Sequence, residues 1–565
     1  MPHLRICVYC HGINLTVMRL PIFLILALLL RHGLAQPDRP RLVVGVVIDQ
    51  MRQDYLYRYA ETFGEGGFKR LMKEGFYLSN AHYNYIPTYT GAGHASIYTG
   101  TTPAIHGVIG NDWYDKTNRK RVYCVADNRQ RTVGSTSAEQ GKMSPHRLLT
   151  TTITDELKLA TGGRGKVLSI SDKDRGAILP GGHMADAAYW YDETTGRMIT
   201  SSFYMDKLPA WVEKFNSLNL PEKYLGGVWD TMLPKEKYQA SGPDNSPYEV
   251  KFNSETKSTF PYDLNTLRKT NGNYDLLSNT PFSNDYLTEM AKAAIDAEQL
   301  GDDEWTDFLC ISFSAPDKLG HRVGPRSVEL QDLYIRLDRN IEDLLKKLDT
   351  KLGAGNYLLF LTSDHGVSDV PQWLIDKRVP GGYIRQEDLK AKLSELIQQY
   401  FQGKPVIESI TNEQIYLNPD LFRGDPKGGG VEWMVSLELI SNFLIQQPGI
   451  AHAFTKNIIR QGDFNEGGIK GMVIRGYNEK RSGDIVVITE PNWLPQNRVT
   501  GTTHGSPYTY DTHVPVIFFG KGIKAGTSSI YHSVTDIAPT LAVLLRTAFP
   551  SGCTGQPVAE LLDKP

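Results

Sequence analysis

Phe308-Leu-Cys-Ile-Ser-Phe313 and Tyr357-Leu-Leu-Phe-Leu361 bracket the stretch that decides the fold. Both are short unbroken apolar runs. Between them, from about Ser327 to Leu352, Leu330, Leu333, Leu337, Ile341, Leu344, Leu345 and Leu348 recur at helical spacing. Strand, helix, strand implies a right-handed crossover joining parallel strands. Four more runs share the pattern: Leu42-Val-Val-Gly-Val-Val-Ile48, Lys166-Val-Leu-Ser-Ile170, Asp484-Ile-Val-Val-Ile488 and Val514-Pro-Val-Ile-Phe-Phe519. Runs without polar alternation suit strands buried on both faces. The expected fold is therefore α/β, a mostly parallel central sheet flanked by helices. Turn-rich polar sequence at about 195–300 and 380–480 interrupts the alternation, and is read as inserted α+β segments on one α/β core covering 36–565.

Composition narrows the class. With 40% hydrophobic, 22% charged and 10% aromatic residues, the 565-residue chain can bury a large core, which excludes disorder. Its 61 Lys and Arg against 63 Asp and Glu leave no basic footprint for nucleic acid. Arg19 followed by the apolar run Leu20–Leu30 and the small residues Gly33-Leu34-Ala35 has the layout of a secretory signal over residues 1–35, with Met18 as an alternative start that would make residues 1–17 an over-extended beginning. Without residues 1–35, which carry Arg5, Arg19 and Arg31 and no acid, the balance is 58 to 63, a net of −5. Later stretches are too short to span a bilayer, so the expectation is a periplasmic or secreted protein with no integral membrane association after cleavage. Cys124, Cys310 and Cys553 then allow one disulfide at most, with Cys310 read as a buried thiol.

Acidic residues stand where the apolar runs end: Asp49 after Ile48, Asp317 after Phe313-Ser-Ala-Pro316, and Asp364-His365 after Leu361-Thr-Ser363. Ligands bind beyond the carboxyl ends of strands in open α/β sheets, so three separate segments deliver carboxylates to one rim. His321, four residues from Asp317, and His504 in Gly501-Thr-Thr-His-Gly505 add imidazoles. Mixed carboxylate and imidazole donors suit Zn²⁺ or a similar divalent ion. His94, His106, His183 and His513 are read instead as core histidines. In Thr88-Tyr-Thr-Gly-Ala-Gly-His-Ala-Ser-Ile97, Thr90 stands near a helix start, where it is either a nucleophile or a simple cap, with Thr88 and Ser96 as competing hydroxyls.

Taken together, Asp49, Thr90-Gly-Ala-Gly-His-Ala-Ser96, Asn111 in Gly110-Asn-Asp-Trp-Tyr-Asp115, Ser171-Asp-Lys-Asp-Arg175, Asp317 with His321, Asp364-His365 and His504 resemble the alkaline phosphatase superfamily. The resemblance is strongest to its monomeric, phosphate-irrepressible periplasmic members, which use Thr where dimeric members use Ser. It implies an alkaline-phosphatase-like fold and two Zn²⁺ per chain: one held by Asp317, His321 and His504, the other by Asp49, Asp364, His365 and the Thr90 oxygen. It also implies a phospho-threonine intermediate at Thr90, with Asn111, Lys173 and Arg175 on the phosphoryl oxygens, and a monomer acting on small phosphate monoesters.

Lys173 and Arg175 bear on substrate class, because cationic donors aimed at the non-bridging oxygens favour a monoester dianion. The alternatives are a phosphodiesterase or nucleotide pyrophosphatase of the same superfamily and, more remotely, an inactive exported metal-binding protein. A sulfatase would need Cys or Ser in a Cys/Ser-x-Pro/Ala-x-Arg setting, which Thr90-Gly-Ala-Gly93 does not supply.

Overall fold

The structure, a computed structural model, describes residues 39–422 and 431–562. The secretory signal read over residues 1–35 lies outside them. Eight strands define the central sheet: β1 (Leu42–Ile48), β2 (Phe76–His82), β3 (Val167–Ser171), β4 (Ala187–Asp192), β5 (Arg197–Ser201), β6 (Asp307–Phe313), β7 (Tyr357–Thr362) and β8 (His513–Gly520). In space the order is Gly526–Ser528, β2, β8, β7, β1, β6, β3, β4, β5 and Thr132–Val133, with His532–Ser533 also beside β2. The run from β7 through β1, β6 and β3 to β4 is parallel. The sheet is thus mostly parallel with antiparallel flanks, and helices cover it.

Two of the six expected strands sit differently. Val514–Phe519 lies in β8, which runs antiparallel to both β7 and β2. The run at 484–488 is not in the central sheet: Ile485–Thr489 belongs to a separate four-stranded antiparallel sheet with Ile407–Thr411, Gln414–Leu417 and Ile450–Thr455. Ile485 and Val487 pack with Leu393, Leu437 and Ile440, while Val486 and Ile488 pack with Ile86 and Val473. Both faces are buried, so the run reads like a core strand.

Four helices frame the rim of the sheet and the core beneath it: α1 (Thr90–Thr99), α2 (Asp174–Gly181), α3 (Ala315–Val323) and α4 (Val328–Leu352). The long crossover helix α4 starts where the Ser327 hydroxyl accepts the Leu330 N–H at 3.1 Å, and it lays Leu333, Leu337, Ile341 and Leu344 into the core beneath β1 and β6. Each such burial stabilises the fold by roughly 1.5–3 kcal/mol. No helix among the described residues is long and apolar enough to cross a membrane. Cys124, Cys310 and Cys553 are free thiols, the first two buried.

Strand register builds the rim. Ser171, Ser312, Val47 and Thr362 lie in one row across β3, β6, β1 and β7. The chain therefore leaves all four strands at the same edge, delivering residues 172–175, 314–317, 49–50 and 363–365 side by side. β8 runs the other way, with Leu361 opposite Ile517, so the loop holding His504 reaches the same rim before β8 begins. β2 ends there too, with His82 opposite His513, and its exit leads into α1.

Candidate active site

Asp317 and His321 are four residues apart on α3 and share one face of it. His321 Nε2 is 3.1 Å and His504 Nε2 3.6 Å from Asp317 Oδ1. These three residues can converge on one ion. A second convergence joins Asp49, Asp317 and His365, with His365 Nε2 3.4 Å from Asp49 Oδ1. Asp364 stands at its edge, Oδ2 lying 3.7 Å from His365 Nε2 and 3.3 Å from His94 Nδ1. The Lys173 ammonium donates to Asp49 Oδ2 at 2.6 Å and to Asp317 Oδ2 at 2.5 Å, so Asp317 belongs to both groups.

The imidazoles are oriented by carbonyls. Nδ1 of His321 lies 2.9 Å from Thr502 O, that of His365 2.9 Å from Gly366 O, and that of His504 2.6 Å from Thr88 O. With Nδ1–H donating to a carbonyl, each Nε2 turns its lone pair toward the carboxylates. Burial holds His365 below its ordinary pKa, and burial, then His365 and His321, holds His504 well below. Burial also pulls on His321, but the Asp317 carboxylate raises it.

Burial, then Asp317 and Asp364, pushes Asp49 well above the carboxylate range. Burial opposes the charged form of Asp317, which His321 and Lys173 nevertheless keep well below that range. Asp49 Oδ1 and Asp364 Oδ2 are buried without a hydrogen-bond partner. Lone pairs facing carboxylates, with two orphaned carboxylate oxygens, fit divalent cations of the zinc type.

Thr90 does not cap its helix. Tyr89 occupies the N-cap in extended conformation without a side-chain capping bond, and Thr90 Oγ1 lies 3.5 Å from His365 Nε2. The competing hydroxyls are engaged elsewhere: Thr88 with Ser506 O at 3.2 Å, and Ser96 with His106 Nε2 at 2.9 Å. Gly93 is required by close approach, since a Cβ there would stand 2.3 Å from Asp364 O. Asn111 Oδ1 accepts the Gly91 N–H at 2.8 Å, which pins the amide over the start of α1. Arg175 donates to Tyr123 OH at 2.9 Å and keeps a buried, unpartnered Nε. It stands beside Lys173 without bonding the carboxylates.

Gln50 escaped the sequence reading. Its N–H donates to Asp364 Oδ1 at 3.1 Å and its Nε2 to Asp317 Oδ1 at 2.7 Å, so one residue ties the two acids together. It does so with φ at +67°, a backbone state invisible in sequence; its place beside Asp49 was the available signal. Of the histidines read as core, His94 bonds Thr90 O and Ser312 Oγ, His183 meets Asp155 and Leu148 O, and His513 meets Ser79 O.

Comparison with known proteins gives the family. Residues 43–513 match the family profile described as type I phosphodiesterase / nucleotide pyrophosphatase. The chain belongs to that family. Within the phosphodiesterase/nucleotide pyrophosphatase family, a branch of the alkaline phosphatase superfamily, it is 42% identical over 526 residues to alkaline phosphatase PafA of Elizabethkingia meningoseptica, covering 93% of this chain and 95% of that one. It is 45% identical over 525 residues to alkaline phosphatase PhoV of Synechococcus elongatus, covering 93% of each. The crystal structure of wild-type PafA superposes with a TM-score of 0.88 at 41% identity, covering 93% of this chain and 99% of that one. The mostly parallel sheet flanked by helices is thus the fold of that family member.

Proposed function

We propose that this chain is an exported alkaline phosphatase: a two-zinc phosphate monoester hydrolase that passes the phosphoryl group through Thr90 to water. Two relatives that cover nearly all of it, at 42% and 45% identity, are named alkaline phosphatases. The observation that carries the monoester reading is the Lys173 ammonium lodged between Asp49 and Asp317.

Asp317, His321 and His504 would hold one ion, and Asp49, Asp364, His365 and Thr90 the other. When bound, the ions supply Lewis acidity, lowering the pKa of a hydroxyl or water and neutralising charge on the oxygens in transfer. Thr90 Oγ1, held at the N-terminus of α1, forms the bond to phosphorus as the ester P–O bond breaks, and the alcohol departs with the hydroxyl proton. Water then cleaves the phospho-threonine, restoring Thr90 and releasing phosphate. Asn111, pinned to the Gly91 N–H, and Arg175, beside Lys173, would serve as fixed donors to the non-bridging oxygens. With Asp49 and Asp317 neutralised, the ammonium of Lys173 finds its next partner in the phosphoryl dianion. A diester presents one non-bridging charge fewer, so Lys173 and Arg175 weigh against the diesterase reading.

Acid quenching during turnover of an aryl phosphate, followed by peptide mapping, tests this: phosphate on Thr90 is expected, and phosphate on another residue contradicts it. Elemental analysis should find two zinc per chain.

A further inference from the structure

The segment around residue 249 packs a second, unrelated acidic pair against the start of α4. Glu249 is 3% exposed and Glu329 is fully buried. Tyr262 OH donates to Glu329 Oε1 at 2.5 Å, but Glu329 Oε2 and both oxygens of Glu249 are buried without a hydrogen-bond partner. The Ser258 and Ser246 hydroxyls stand beside Glu249 and ease its charge, while Asp244 adds further negative charge. Neighbouring bases do not answer it: Lys235 pairs with Asp244 at 2.9 Å, Arg326 with Asp369 at 2.8 Å, and Lys377 stands at the exposed side.

Two carboxylates sharing a buried volume are costly unless a cation or a proton joins them. Burial and then Glu329 push Glu249 up to about 10, and burial raises Glu329 to about 7. Three free carboxylate oxygens among hydroxyls, with no imidazole or thiolate, are the donors a hard ion takes. Glu249 also lines a cavity of about 280 Å³, which gives such an ion a way in.

We propose that Glu249 and Glu329 bind one hard divalent cation, Ca²⁺ by preference, at a site separate from the zinc centre. The chain around Glu249 is fastened to the zinc-ligand arms: Tyr248 O accepts the Gly501 N–H at 2.8 Å, and Val250 N–H donates to Arg322 O, next to His321, at 2.8 Å. The ion would brace both arms.

The test uses the zinc-loaded protein in calcium-free, zinc-buffered solution. Equilibrium dialysis with labelled Ca²⁺ should find one Ca²⁺ per chain while zinc content stays constant, and Tm should rise with Ca²⁺ concentration as binding to the folded state requires. Glu249→Gln should weaken Ca²⁺ binding by at least about tenfold and flatten the Tm response, and in calcium-free buffer it should melt no lower than wild type because it removes the repulsion. If Glu249→Gln fails to fold, Glu329→Gln takes its place. No bound Ca²⁺ and no Tm shift at millimolar Ca²⁺ would show a proton-sharing pair and overturn the proposal, as would unaltered binding by both variants.

Discussion

The Lys173 ammonium donates to Asp317 Oδ2 across 2.5 Å, joining the exit of β3 to the first turn of α3. The acid it meets also faces His321 and His504. Burial works against the ammonium charge, yet Asp317 and Asp49 raise the lysine pKa above its ordinary value.

Removing that donor should cost the monoester most. Lys173→Ala is expected to lower kcat/KM for an aryl phosphate by about 10²–10³, the size seen for a fixed donor to a developing oxyanion, with a smaller loss on the methyl diester. Arg175→Ala should follow the same order. Steady-state kinetics on both substrates checks this; equal losses would mean that neither residue reads the dianion.

Thr90→Ala should reduce turnover by at least about 10³-fold, because binding and electrostatics alone supply the residue of activity left without a nucleophile. Thr90→Ser, which keeps the hydroxyl, should retain much of the rate. Comparable activity in the Ala variant would remove Thr90 from the mechanism.

Gln50 acts through the acids it holds. Gln50→Ala is expected to weaken zinc binding by about 10- to 100-fold, the range for losing a side chain that orients metal ligands, with activity restored in excess zinc. Competition with a zinc chelator measures it. A kcat defect that saturating zinc does not relieve would place Gln50 on the substrate instead.

Burial pushes His106 down to about 3, so the folded protein holds this imidazole neutral while the unfolded chain takes up a proton near pH 6.5. Its contribution to stability is therefore complete above about pH 6.5 and is lost as the pH falls toward 3. Unfolding free energies from urea titrations should decline between pH 6.5 and 4 less steeply in His106→Gln than in wild type, by up to about 1.4 kcal/mol per pH unit. Parallel slopes would show that His106 takes no part.

Local interactions were legible in the sequence and distant ones were not. The crossover over 308–361 could be read because periodicity and burial coincide in it, and the acids at strand ends could be read because register puts every carboxyl end on one edge. The antiparallel course of β8 was hidden, since a strand buried on both faces looks alike in either direction. So was the separate sheet of Ile485–Thr489, whose two faces are covered by side chains drawn from 86 to 473. Asp317 and His321 could be paired from their spacing on α3. Gln50 could not, because its two bonds span 267 and 314 residues. Position after a strand finds a ligand; only the folded chain shows what holds it.

A cationic donor pair of Lys173 and Arg175 should turn this site toward monoesters. Rates of the zinc-loaded protein on p-nitrophenyl phosphate and on its methyl diester, compared as kcat/KM under one set of conditions, decide whether it does. The monoester should be hydrolysed faster, and Lys173→Ala should narrow the ratio. A faster diester in the wild-type protein would contradict the assignment.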